Sequence, residues 1–166
     1  MVSLKYEKAS VQDLSKIYDL SEEIWKPAFS PYYAKEDLDL LYTGMYNDNL
    51  LTNWLSNSKN MFYFILKDNR YIGYTAIELH SDHLKLDKIY VHPSLQGSGI
   101  GSLVMKKIEA IAAEFSLETI FLRVNRENKL AIDFYHNRSF KIIESIDFPG
   151  PKGLRYEDYL MEKKLK

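Results

Sequence analysis

Seven consecutive residues, Gln96, Gly97, Ser98, Gly99, Ile100, Gly101 and Ser102, place three alternating glycines just ahead of an apolar pattern at Ile100, Leu103, Val104, Ile108, Ile111, Ala112 and Phe115. Those spacings of three and four are helical. A glycine loop at a helix start offers amide N–H groups that lack partners, together with the positive end of the macrodipole. Its chemistry is anion binding, phosphate above all. Upstream, Leu84 to Val91 ends in branched and aromatic residues and contains no Gly or Pro, as a buried strand should. His92-Pro93 stops it, because proline cannot donate to a ladder. Two familiar phosphate loops are excluded. A Walker loop needs a lysine where Ser102 stands, and a dinucleotide fingerprint needs a third glycine where Ser102 or Val104 stands.

A second segment carries the reading further. Thr119 to Val124 is another apolar strand, followed by Asn125, Asn128, Ala131, Phe134 and Tyr135 in helical register. Together, Gln96-x-x-Gly99-x-Gly101 and Val124-Asn125-x-x-Asn128-x-x-Ala131-x-x-Phe134-Tyr135 resemble the diphosphate loop and the following strand and helix of the GNAT superfamily of acyl-CoA-dependent N-acyltransferases. The likeness is close over about half of the chain and looser elsewhere. One departure stands out: Ser139 occupies a position that is usually glycine, at the left-handed helix end, a strain of roughly up to 1 kcal/mol.

The resemblance implies one GNAT-like domain over residues 1–166 that moves an acetyl group from acetyl-CoA to a primary amine by direct attack. On that reading the diphosphate rests on the backbone N–H groups from Gln96 to Gly101, with Ser102 beside them. The pantetheine arm would run along Ile89, Tyr90 and Val91 like an added strand. The central strand and the next one should splay apart to admit it. Asn125, Asn128 and Ala131 would flank the arm's far side, and the Val91 N–H would serve as oxyanion donor. Tyr135 lies seven residues after Asn128 and so shares its helix face. The resemblance makes it the acid toward the CoA thiolate; a core tyrosine beside Phe134 is the alternative. A phenol of pKa about 10 is a weaker acid than a thiol of about 8.5, so hydrogen bonding counts as much as donation.

The base stays open. Strand alternation puts Lys85, Asp87, Ile89 and Val91 on one face. Lys85 occupies a position often held by a glutamate base and cannot serve while protonated. Asp87, acting directly or through water, is the candidate, with Glu78 second; Asp87 paired on the surface with Lys85 or Lys88 is the other reading. The resemblance builds the acceptor pocket from Trp25, Phe29, Tyr32, Tyr33 and Glu36 on one side and Phe148, Tyr156 and Tyr159 on the other. Aromatic walls with carboxylates suit a cation such as a polyamine. Tyr156-Glu-Asp-Tyr159-Leu-Met161 is also loosely similar to bacterial spermidine/spermine-type members.

Composition excludes other classes. A length of 166 residues suits one domain with a real core, and a net charge of -1 argues against a nucleic-acid partner. Without cysteine there is no thiol or disulfide chemistry, and the 4 histidines lack metal-site spacing. No signal-peptide pattern or membrane-length apolar run is visible. The expectation is a cytoplasmic enzyme with acetyl-CoA as co-substrate, no metal and no membrane partner, a homodimer being left open. The alternative is a CoA-binding regulatory or interaction domain without turnover.

The elements that must position these groups follow from pattern. Leu4 to Ala9 alternates as a strand, and Ser10 with Asp13 forms a capping-box variant before a helix that Pro27 should end. Helices are expected over Lys35 to Tyr46 and Asn49 to Ser56. Strands are expected at Met61 to Leu66 and Tyr71 to Leu79, around a polar turn at Lys67 to Arg70, with Gly73 marking a bulge or a close approach. His80 to His83 is a turn, and Lys141 to Ile146 and Tyr156 to Glu162 complete the sheet. The fold class is α+β, a mixed α/β sandwich in which a mostly antiparallel sheet of six or seven strands carries helices on both faces.

Overall fold

The computed structural model describes residues 1–166. In chain order it contains β1 (Lys5–Lys8), α1 (Leu14–Phe29), α2 (Lys35–Met45), α3 (Asp48–Ser56), β2 (Asn60–Lys67), β3 (Arg70–Leu79), β4 (Leu84–Val91), α4 (Ile100–Glu114), β5 (Thr119–Asn125), α5 (Lys129–His136), β6 (Lys141–Pro149) and β7 (Arg155–Lys164). The strands form one 7-stranded sheet in the order β1-β2-β3-β4-β5-β7-β6. Every neighbouring pair is antiparallel except β4 and β5, which run parallel. Helices cover both faces, as expected. On one face α4 and α5 bury Val104, Ile108, Ile111 and Ile132 against Ile77, Leu86 and Leu122. On the other, α1 to α3 bury Ile17, Ile24, Leu41 and Leu51 against Phe62, Phe64 and Tyr74.

Local signals set most boundaries. The Ser10 amide donates to Asp13 Oδ2 at 2.8 Å and the Gln12 amide to Ser10 Oγ at 3.3 Å, a reciprocal cap that opens a short 3-10 turn ahead of α1. Asp68 and Asn69 adopt φ of 49° and 59°, making the tight β2–β3 turn that asparagine and aspartate tolerate. Gly73 is a close approach: a Cβ there would meet the Tyr90 carbonyl oxygen at 2.3 Å. Ser139 has φ of 68°, and the Phe140 amide reaches back to the Tyr135 carbonyl at 3.1 Å, closing α5 through a left-handed residue.

Several expectations are corrected. α1 continues through Pro27 to Phe29. So near the helix end the proline forfeits one bond, and the Ser30 amide closes the last turn on the Lys26 carbonyl at 2.9 Å. Phe115 lies beyond α4 and is 50% exposed instead of joining its apolar face. The last two strands are longer than expected, and each supplies the other's ladder. The most consequential correction concerns β4. Ile77 pairs with Leu86 while Ala76 pairs with Lys88, so Asp87 is the extra residue of a β-bulge. Alternation therefore breaks there. Ile89 and Val91 turn to the α4 side with Leu84 and Leu86, while the Asp87 carboxylate stays with Lys85 and Lys88.

Candidate active site: a cleft between two parting strands

β4 and β5 pair only at Leu84–Leu86 with Ile120–Leu122, although β4 runs on to Val91 and β5 to Asn125. Beyond Leu86 the strands part, as expected, and a cleft of about 740 Å³ opens between them. Asp87, Ile89, Tyr90 and Val91 line one wall, and Asn125, Asn128, Ala131 and Tyr135 the other. Gln96, Gly97, Gly99, Ile100, Gly101 and Ser102 close one end, and Phe29 and Tyr32 flank the mouth. Ser98 does not line the cleft; its hydroxyl donates to the Leu95 carbonyl at 2.5 Å.

The glycine end is built for an anion. The amides of Gly97, Gly99, Ile100, Gly101 and Ser102 find no acceptor within the chain, being the unsatisfied first turn of a 15-residue helix and the loop before it. Gly97 and Gly99 hold φ of 77° and 83°, which a side chain would strain, and open space lies where their Cβ atoms would be. Gly101 has a different reason: a Cβ would meet the Phe134 ring at 2.9 Å, so glycine lets α5 lie against the start of α4. That contact brings in Arg138, which the sequence reading missed. Its guanidinium donates to Ser102 Oγ and to the Phe134 carbonyl at 2.8 Å and lies 3.6 Å from the Phe134 ring centroid. A cation thus stands beside the free amides. It lies two residues beyond the end of α5, so its position along the chain carried no signal of this contact.

Tyr135 and Asp87 are the two candidate proton carriers that line the cleft. Tyr135 is buried, edge-on to Phe134 and Phe140, and its hydroxyl has no hydrogen-bond partner within the chain. Burial pushes its phenol well above the ordinary value. Asp87 is opposed by two ammonium groups, Lys88 Nζ at 2.5 Å and Lys85 Nζ at 3.4 Å. Burial raises its carboxyl, but those lysines outweigh it and hold the group below the usual carboxylate value. The two asparagines are partly committed. Asn125 Oδ1 accepts from the Glu127 amide and its Nδ2 donates to the Tyr33 hydroxyl at 2.8 Å. Asn128 Oδ1 caps α5 at the Ala131 amide and accepts from the Tyr32 hydroxyl at 3.4 Å.

The expected acceptor residues divide. Tyr33 and Tyr156 gather beside the mouth, Tyr156 stacked on Phe148 with centroids 4.6 Å apart. Trp25 is core, 2% exposed and stacked on Phe29 at 4.7 Å. Glu36 is exposed in the first turn of α2, and Tyr159 packs toward the opposite face. Glu78 lies outside the cleft; Lys85 at 3.0 Å, His80 at 3.4 Å and the Trp54 indole N–H at 3.3 Å surround it. Arg123, unremarked in the sequence, lines the cleft, as does Lys88, expected only as a partner of Asp87. No group of three or more His, Asp or Glu side chains is close enough to hold a metal ion, and no helix is long and apolar enough to cross a membrane.

Comparison with known proteins agrees with this geometry. The model of the acetyltransferase (GNAT) family matches residues 15–140. A spermidine N(1)-acetyltransferase from Thermoplasma acidophilum is 24% identical over 167 residues, spanning 98% of each chain. Among solved structures, the PaiA N-acetyltransferase of the same organism, in complex with coenzyme A, superposes with a TM-score of 0.82 at 23% identity, covering 98% of this chain and 99% of the other. The ribosomal-protein-S18-alanine N-acetyltransferase of Escherichia coli reaches a TM-score of 0.74 at 14% identity, covering 99% and 95%.

Proposed function

The chain belongs to the acetyltransferase (GNAT) family, and from that premise we propose that it moves an acetyl group from acetyl-CoA to a primary amine, with a polyamine as acceptor. One observation carries the reading: a row of unpartnered amides at a helix start opens into a cleft whose other wall is an unpaired strand edge. The amides of Gly97 and of Gly99 to Ser102, with Arg138, suit a diphosphate, and the edge of β4 at Ile89 to Val91 suits the amide-bearing pantetheine arm. Bound there, acetyl-CoA supplies the thioester.

Transfer forms an N–C bond and breaks a C–S bond, so one proton must leave the amine and one must meet the sulfur. Tyr135 holds a proton at its hydroxyl and has no competing acceptor, so it serves the sulfur. Asp87, kept ionised by Lys85 and Lys88, accepts the proton that the attacking amine releases, directly or through water. The Val91 amide serves the carbonyl oxygen. A polyamine is supported by the aromatic mouth of Phe29, Tyr32, Tyr33 and Tyr156, and by the name of the relative that aligns along nearly the whole chain.

The test is thiol release from acetyl-CoA with a panel of polyamines, amino acids, aminoglycosides and peptides. Release with spermidine or spermine above the other amines is expected. Release confined to peptides would overturn the acceptor assignment, and silence across the panel would favour a binding domain without turnover.

A further inference from the structure

One carboxylate beside the cleft has no partner. Asp158 on β7 pairs across the ladder with Asn125 of β5 and with Ile146 of β6. Paired residues share a face, so Asp158 stands roughly one strand spacing, about 5 Å, outward from a residue that lines the cleft. Tyr156, two positions away on the same strand face, and Tyr33, bonded to Asn125, stand beside it. Asp158 is half-buried, and its carboxylate makes no hydrogen bond or ion pair within the chain.

The nearby charges are otherwise engaged. Arg126 binds Asp147 at 2.7 Å and approaches Glu157 at 3.8 Å, and Arg123 lies over the Phe148 ring at 4.8 Å. Asp87 and Glu78 are by contrast matched by lysines within the chain. A half-buried carboxylate left unpaired beside tyrosines has lost part of its hydration without gaining a partner, which an arriving cation would supply.

We propose that Asp158 is the subsite for a second cationic group of the acceptor, receiving its distal ammonium while the reacting amine sits deeper in the cleft beside Asp87. The inference rests on the acetyl-transfer reading above and adds to it a requirement for a dicationic acceptor. Burial lifts the Asp158 carboxyl above its ordinary value, with Arg123 and Arg126 pulling the other way. An ammonium there supplies the pairing that the fold withholds, and Tyr33 and Tyr156 add aromatic faces around it.

The experiment compares 1,4-diaminobutane with 1-aminobutane, which differ in the distal ammonium, in the wild type and in Asp158→Asn and Asp158→Glu. The wild type is expected to favour the diamine in kcat/KM. Asp158→Asn should erase that preference through a rise of at least about tenfold in the diamine KM, the low end for a lost hydrogen bond to a charged group. Asp158→Glu, which keeps the charge, should retain part of it and controls for folding. A preference that persists in Asp158→Asn overturns the subsite, as does a wild type indifferent to the second ammonium. A wild type that consumes no amine removes the acetyl-transfer reading itself, and the subsite with it.

Discussion

Tyr135 and Asp87 sit in opposite electrostatic circumstances, and each has a kinetic consequence. The Tyr135 phenol is pushed upward by burial alone, so it stays protonated through the whole working range and contributes no ionisation to the rate below about pH 10. Tyr135→Phe should lower kcat by about 100-fold, the low end for acid catalysis, with the acetyl-CoA KM little changed. A variant at the wild-type rate would return the tyrosine to the core. The Asp87 carboxyl is held down, so its pairing with Lys85 and Lys88 contributes stability above about pH 4 that is lost as pH falls through the lower folded value. Acid unfolding of Asp87→Asn, followed by circular dichroism, should show a shallower loss of stability over that window; an unchanged profile would mean that the ion pairs contribute nothing. At this scale the glycine loop was readable because backbone chemistry announces itself in glycine spacing. Arg138 and Asp158 were not, since what matters about them is which strand or helix end lies beside them.

Among the elements, β4 does most to position the site, and its bulge is where pattern reading failed. Alternation predicts one face for Lys85, Asp87, Ile89 and Val91, but an extra residue at Asp87 reverses the sides beyond it. Nothing in the composition of Leu84 to Val91 betrays this, because a bulge is set by the pairing of two strands. Gly73, on the facing strand, was legible as a close approach, and it gives a direct handle on the geometry. In Gly73→Ala the new methyl would press on the Tyr90 carbonyl at 2.3 Å and the Val91 Cα at 3.1 Å. The expected cost is about 1–3 kcal/mol of stability by thermal denaturation, with a raised acetyl-CoA KM because the cleft wall moves. Wild-type stability and KM together would show that β3 and β4 tolerate separation there. Pro27 makes a related point: proline was read as a stop, but within the last turn of α1 only one bond is at stake.

At the scale of the whole molecule, the two core layers hold a sheet that stays closed at one end and open at the other. Leu84 to Leu86 pin β4 to β5, and the gap beyond them is a cavity the fold leaves unfilled. The strand and helix order was legible because amphipathic periods alternate cleanly along the chain. The split was not readable from residue pattern, since apolar residues continue through Val91 and Val124 on both sides of it, and only the family resemblance anticipated it. A ligand that fills the gap should add stability by linkage. Acetyl-CoA at 100 times its dissociation constant should contribute about 2.7 kcal/mol, a rise of roughly 5–10 °C in Tm for a chain of this size. Gly99→Glu, which puts a side chain and a negative charge among the free amides, should show no such rise; an equal shift would move the diphosphate site elsewhere. The most direct measurement is a crystal structure with coenzyme A bound. The diphosphate is expected on the amides of Gly97 and of Gly99 to Ser102 beside Arg138, with the pantetheine arm along Ile89 to Val91 and its sulfur near the Tyr135 hydroxyl. Coenzyme A bound outside the gap between β4 and β5, or turned so that its phosphates avoid the start of α4, would contradict it.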